Sequence, residues 1–208
     1  MYMKRYNKNL KKEEMIYEIF KKNNGYVKTE ELLGNGVHPR DIKKLVSEGV
    51  IIRLKNGVYR LKGIPFSSNR SFIDVFYAIK ESVVCLLSAL SFYELTDFVP
   101  SYVDVAIPRG MWKPRMKYPP VRIHYFSGDF YKKGIVEYEE DEMKFRIYTV
   151  EKTICDIFRY GNRIGKDIIK ESLRRYLNRE DRNLELLFEY SKVCKVESVI
   201  KRWIEAMI

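Results

Sequence analysis

The chain has 208 residues, 46% of them hydrophobic and 32% charged, with a formal net charge of +11. That is enough apolar material for a real core, in one large domain or two small ones. No apolar run approaches the roughly 18 residues of a membrane span, and the opening M-Y-M-K-R-Y-N-K-N-L-K-K lacks the apolar heart of a signal peptide, so a cytoplasmic protein with no membrane partner is expected.

The positive charge is concentrated. Residues 1–62 hold 15 Lys and Arg against 7 Asp and Glu, whereas residues 63–208 hold 24 against 21. A solubility role does not explain that asymmetry; a polyanionic partner for the first part does. The cysteines Cys85, Cys155 and Cys194 are odd in number, far apart and set among apolar neighbours. They read as reduced core residues, and neither a metal nor a cofactor is expected.

In chain order, a helix is predicted from about Lys12 to Lys22, with Met15, Ile16, Ile19 and Phe20 on one apolar stripe and Asn24-Gly25 ending it. Tyr26 and Val27 suit a short edge strand. Thr29 is the expected N-cap of a one-turn helix to Leu33, with Glu30 and Glu31 at its positive end. Gly34-Asn35-Gly36 turns the chain. His38 reads as a helix-start residue, and Pro39 opens a second helix that stops at Gly49. At about 100° per residue, Ile42, Leu45 and Val46 face a core. Arg40, Lys44 and Ser47 point the other way, with Lys43 on the flank.

A ribbon follows, Val50–Leu54 and Val58–Leu61, joined at Asn56-Gly57, the strongest short hairpin signal. Arg53, Lys55 and Arg60 make it basic. Short helix, turn, second helix and ribbon is the order of a winged helix-turn-helix, in which the second helix enters a major groove and the wing lies along phosphates or a minor groove. The candidate DNA contacts are Lys28, Thr29, Arg40, Lys43, Lys44, Ser47, Arg53, Lys55, Asn56 and Arg60.

Residues 63–70 are the expected linker between a DNA-binding unit of residues 1–62 and a second unit of residues 71–208. Beyond it the sequence predicts a helix from Ser71 to about Lys80, a short strand at Val83–Leu86 and a helix at Ser88–Leu95. Strands are expected at Tyr102–Ile107, Val121–Phe126, Val136–Tyr138 and Lys144–Tyr148. Thr149 caps a helix Val150–Arg159, with Glu151 in its first turn and Gly161 closing it. Helices near Lys166–Leu177, Asn183–Ser191 and Val196–Met207 complete a tail whose last apolar stripe reads as core. The fold class is α+β: a winged helix-turn-helix followed by a mixed α/β domain with a helical C-terminal tail.

Two charged stretches stand out. Arg109, Trp112, Lys113, Arg115 and Lys117 lie in a segment without acids. Basic residues interleaved with aromatics suit a second nucleic-acid or partner contact, and an ordinary surface loop is the alternative. The acidic run Glu137–Glu142 reads as a solvated hairpin. An enzyme is the least favoured class. Asp104 on a strand hints at a nuclease, but Glu142-Met143-Lys144 is the nearest acid-x-Lys pattern, and it sits in a turn. There is no phosphate-binding glycine loop and no nucleophile–base arrangement.

The segments L-V-S-E-G-V-I-I-R-L-K-N-G-V-Y-R-L, S-A-L-S-F-Y-E-L, V-D-V-A-I-P-R-G and T-V-E-K-T-I-C-D-I-F-R, in that order, resemble the AbiEi-type antitoxin and transcriptional regulator family of type IV toxin–antitoxin (abortive infection) systems. The resemblance implies a repressor that binds inverted repeats in its own promoter, and a second domain with antitoxin activity. Its functional partner would be a nucleotidyltransferase-like toxin, countered without the need for a stable complex. The implied DNA role falls on Arg40, Lys43, Lys44, Ser47, Arg53, Lys55 and Asn56. Antitoxin residues do not carry over; Glu151 and Asp156 are conspicuous, but they read as a helix-start charge and a structural partner for a nearby arginine. A winged-helix regulator outside any toxin system, its second domain sensing a ligand or protein, is the competing reading.

Overall fold

The structure is a computed structural model that describes residues 2–65 and 67–207, with residues 2–11 described by their backbone alone. Helix α1 (Tyr2–Lys22) starts well before the expected Lys12, since nothing in the preceding residues breaks a helix. It buries Ile16, Ile19 and Phe20; Met15, at the margin of the stripe, is exposed. Strand β1 (Tyr26–Lys28), helices α2 (Thr29–Gly34) and α3 (Pro39–Ser47), and strands β2 (Ile51–Lys55) and β3 (Val58–Leu61) complete the first unit. Thr29 is the first helical residue of α2 and Lys28 its N-cap, without a side-chain cap bond. The three strands form an antiparallel sheet in the order β1-β3-β2, leaving β2 at an edge. This order of elements fits a winged helix-turn-helix.

The second unit begins with α4 (Arg70–Ala78), β4 (Val83–Val84), α5 (Leu86–Phe92), β5 (Val103–Pro108) and β6 (Val121–Phe126). A one-turn helix α6 (Asp129–Lys132), absent from the sequence reading, precedes the hairpin β7 (Ile135–Glu140) and β8 (Met143–Tyr148). These strands form a mixed sheet, β6-β5-β4-β8-β7, in which β5 runs parallel to β6 and β4 parallel to β8. Helices α7 (Val150–Arg159), α8 (Gly161–Ile164), α9 (Lys166–Leu177), α10 (Leu184–Cys194) and α11 (Glu197–Glu205) form the tail. Thr149 Oγ1 accepts from the Lys152 amide, the expected cap, a contact of this kind being worth about 1 kcal/mol. Gly161 does not close α7; it opens α8. The described chain is therefore mixed α+β with two sheets.

The buried apolar residues fall into two clusters. The smaller joins Ile16, Phe20, Leu32, Ile42, Leu45 and Ile51. The larger runs through the second sheet and the tail, and it also takes in Tyr26, Leu54 and Val58 from the first unit. The three cysteines are free and buried, as expected. In the tail, Phe158 and Trp203 meet edge to face with centroids 5.5 Å apart, so the last helix packs inward.

Ser67 is buried; its Oγ donates to Glu140 Oε2 at 3.0 Å, and the Asn69 side-chain Nδ2 donates to the same oxygen at 3.1 Å. Arg70 belongs to α4, and its guanidinium donates to the Pro65 carbonyl. The acidic hairpin thus anchors the crossing segment on one side. On the other, Lys144 pairs with Glu137 and Glu139 at 3.2 and 3.3 Å.

Candidate nucleic-acid interface

Helix α3 is firmly started. His38 Nδ1 accepts from the Arg40 amide at 3.2 Å, and Asp41 Oδ2 accepts from the His38 amide at 3.2 Å. Two amides at the helix start are thereby satisfied, with Pro39 supplying none. Asp41 also takes a bond from Lys12 Nζ at 2.6 Å, which ties α1 to α3 and holds the carboxyl below its ordinary range. Ile42 and Leu45 are buried, so the opposite face is fixed outward. Arg40, Lys43, Lys44 and Ser47 are all exposed.

Their availability differs. Lys44 Nζ stands 3.6 Å from Glu48 Oε1, an exposed pair one turn apart. Such pairs are worth about 0.3–0.5 kcal/mol, so the carboxylate holds the Lys44 ammonium only weakly. Ser47 Oγ donates to the Lys44 carbonyl at 2.8 Å, which commits its proton and leaves it an acceptor. Arg40 and Lys43 have no carboxylate partner among the described residues.

The hairpin turn is built around Gly57, whose φ of +79° favours glycine. The Thr29 amide donates to the Gly57 carbonyl at 2.9 Å, bringing Lys28 and Thr29 beside the turn. Arg53 is half-buried and donates to Asn56 Oδ1 at 2.9 Å, bracing the turn from within. Lys55 is half-buried too, and burial, helped by the charge of Lys28, holds its ammonium below the ordinary lysine range.

Arg60 departs from the sequence reading. It is 9% exposed, and its Nε lies 3.0 Å from Asp74 Oδ1 on α4. Asp74 is fully buried and also accepts from the Tyr26 hydroxyl at 2.7 Å. Arg60 is therefore an internal ion-pair partner that joins β3 to α4, with no guanidinium to offer a phosphate. Its position on the central strand of the sheet, covered by α4, is the physical reason. The alternating pattern of the ribbon could not reveal that cover.

The segment with Arg109, Trp112, Lys113, Arg115 and Lys117 meets the first unit. The register of β2 shifts between Arg53 and Lys55, a bulge that leaves Leu54 out of the pairing with β3. The freed Leu54 carbonyl accepts from the amides of Lys117 at 2.6 Å and Tyr118 at 3.2 Å, and Lys55 bridges Met116 in antiparallel fashion. All five singled-out side chains are exposed, Trp112 by 94%. The polar–apolar alternation Arg115-Met116-Lys117 is the sequence sign of this strand-like pairing.

The conspicuous acids lie inside. Glu151 accepts from the Tyr176 hydroxyl at 3.4 Å and the Asn183 amide at 3.3 Å. Asp156 pairs with Lys152, one turn before it on α7, rather than with an arginine; both side chains are fully buried. Lys152 Nζ lies 4.1 Å from the Phe130 ring centre and 4.4 Å from that of Tyr148. Asp104 is buried against His124 Nε2 at 2.8 Å on the neighbouring strand. Strand β4 separates Asp104 on β5 from Lys144 on β8, and the Lys144 ammonium is held by β7, so the nuclease-like residues do not converge. Among the described residues, no helix is long and apolar enough to cross a membrane, and no group of three His, Cys, Asp or Glu is arranged for a metal ion.

No curated protein matches the chain. Residues 14–62, which carry α3 and the hairpin, match the family model described as a transcriptional regulator, the AbiEi antitoxin, and over that stretch the chain is similar to this family.

Proposed function

We propose that the chain is a sequence-specific DNA-binding transcriptional repressor that autoregulates a toxin–antitoxin operon and acts as its antitoxin. Residues 1–62 bind inverted repeats in the chain's own promoter, and residues 71–208 counter a nucleotidyltransferase-like toxin. The observation that carries the DNA reading is α3: a helix fixed at its start by a reciprocal cap, with Arg40 and Lys43 exposed and unpaired with acids among the described residues. The match over residues 14–62 supports the regulatory class. Arginine reads guanine edges two-fold, and lysine reads guanine or phosphate. The test is binding of the purified protein to its own upstream DNA against scrambled DNA of equal length across a salt series. Selective binding, with log K falling by about 4–5 per decade of salt for about five neutralised phosphates, supports the reading. Equal weak binding to both duplexes rejects it.

A second reading rests on a cleft of about 630 Å³ between α5 and the crossing segment, lined by Ser71, Phe72, Ser88, Phe92, Tyr102 and Tyr118. A mixed aromatic and hydroxyl lining suits a small ligand, and the chain would then be a ligand-responsive regulator outside any toxin system. Co-expression with the neighbouring gene product separates the two: relief of growth arrest supports the antitoxin, and no effect favours the sensor.

A further inference from the structure

We propose that the cleft between α4, α5 and the loop that reaches Tyr118 is a nucleoside site, which takes a flat heteroaromatic base with its uncharged sugar and disfavours the phosphorylated form. The assignment deepens the ligand-sensing reading above and rests on it.

The walls are aromatic and braced. Phe72 and Phe92 meet edge to face with centroids 6.2 Å apart, so each ring holds the other in place. The Arg122 guanidinium lies 3.8 Å from the centre of the Tyr102 ring and covers one face, so Tyr102 turns its other face or its edge to the cleft. Ser88 Oγ accepts from the Asp104 amide at 2.8 Å and donates to the Tyr102 carbonyl at 3.3 Å, which fixes this wall to β5. Tyr118 also lines the cleft and is 48% exposed, leaving apolar ring surface that a stacked base would cover. The volume of about 630 Å³ has room for a base and a sugar together.

The polar groups set what surrounds the ring. Ser71 and Ser91 are half-buried in the lining, and their hydroxyls hold no hydrogen bond to another described residue. A hydroxyl donates one bond and accepts two, which matches the mixed donors and acceptors of a base edge and of ribose.

Charge decides against an anion. The chain carries 39 Lys and Arg, yet among the described residues none lines this cleft, and its one charged lining residue is Glu94. A phosphate placed there meets a carboxylate and no cation, whereas a nucleoside brings no charge to repel.

Tyr118 also connects the cleft to the first unit. Its amide donates to the Leu54 carbonyl of β2 at 3.2 Å, and β2 follows α3 in the chain. A base stacked on Tyr118 therefore acts on a residue that holds the hairpin, and linkage requires nucleoside and DNA to change each other's affinity by the same factor.

The test is calorimetric titration of the full chain with adenosine, guanosine, cytidine and uridine, beside their 5′-monophosphates and ribose. At least one nucleoside is expected to bind with Kd below about 1 mM, about fivefold or more tighter than its monophosphate and about tenfold or more tighter than ribose. Tyr118→Leu keeps the backbone bond and should weaken that nucleoside about tenfold. Ser71→Ala combined with Ser91→Ala should do the same, both proteins melting as wild type does. No nucleoside binding at about 1 mM overturns the assignment, as does a monophosphate bound as tightly as its nucleoside, or binding that neither variant weakens. Ribose bound as tightly as the nucleosides also overturns it, and leaves the ligand-sensing reading standing with a sugar as ligand. Binding of the chain's own upstream duplex, with and without saturating nucleoside, tests that reading separately. A shifted DNA affinity supports it; an unshifted one overturns the sensing role, while the calorimetry still establishes the site.

Discussion

Arg60 Nε lies 3.0 Å from Asp74 Oδ1, and this pair joins the hairpin of the first unit to the first helix of the second. Asp74 draws a further bond from Tyr26, and Arg70 reaches the same tyrosine hydroxyl at 3.3 Å. Burial pushes the Asp74 carboxyl above its ordinary range, against the pull of Arg60. A network of this kind fixes how the hairpin sits against α4.

Arg60→Ala is therefore expected to act on stability and not on the DNA contact. It leaves a buried carboxylate short of its cation, which costs about 3 kcal/mol. Urea denaturation measures that loss, and the salt slope of DNA binding by the remaining folded protein should equal that of wild type. A slope reduced by about one unit, with stability unchanged, would return Arg60 to the list of phosphate contacts.

Local chemistry made much of this fold legible. Asn56-Gly57 announces the hairpin, Pro39 and His38 announce α3, and Thr149 announces α7, because each signal acts within a few residues. The apolar stripes of α1 and α3 place the outward face of α3 without tertiary knowledge. What escaped is what depends on distant partners. Arg60 looks like its basic neighbours until α4 covers it, and Lys117 looks like a loop residue until Leu54 offers a carbonyl. Asp156 gave no hint that its partner is a lysine on its own helix, since buried pairs and exposed pairs share the same spacing.

That buried pair predicts non-additive stability. Lys152 and Asp156 are both 0% exposed, so removing either leaves the other as an unpaired charge in an aromatic setting. Lys152→Met and Asp156→Leu should each cost about 3–5 kcal/mol. The double variant should regain most of that loss, because a well-packed apolar pair needs no desolvation of charge. Thermal or urea melts of the four proteins complete the cycle. Losses that simply add would mean that the two charges do not depend on each other.

The same pair sets a pH dependence. Burial pushes the Asp156 carboxyl up to about 6, and the Lys152 ammonium offsets this only in part. An aspartate in the unfolded chain titrates near about 3.9. Between those values the folded state holds the extra proton, so the contribution of this group to stability falls as pH rises from about 4 to about 6. Asp41 acts in the opposite sense: its lowered carboxyl stabilises above the unfolded value and loses that contribution as pH falls below it. Carbon-13 NMR of the Asp156 carboxyl should show a midpoint near about 6. A midpoint below about 4 would mean that Lys152 dominates, and the slope in stability over that window would vanish.

On α3, two neighbouring cations should separate base reading from charge. Arg40 sits in the first turn, and the amides near it are already taken by His38, so its guanidinium is the free group there. Arg40→Ala is expected to cost about 1–3 kcal/mol on the preferred duplex and much less on scrambled DNA, flattening the ratio between them. Lys43→Ala, on the flank of the same face, should weaken both duplexes alike and lower the salt slope by about one unit. Titrations of both variants on both duplexes at two salt concentrations give all the quantities required. If Lys43→Ala changes the ratio and Arg40→Ala does not, α3 enters the groove rotated toward its flank. If neither substitution matters, the reading helix lies elsewhere, and the exposed face of α3 is only a solvated surface.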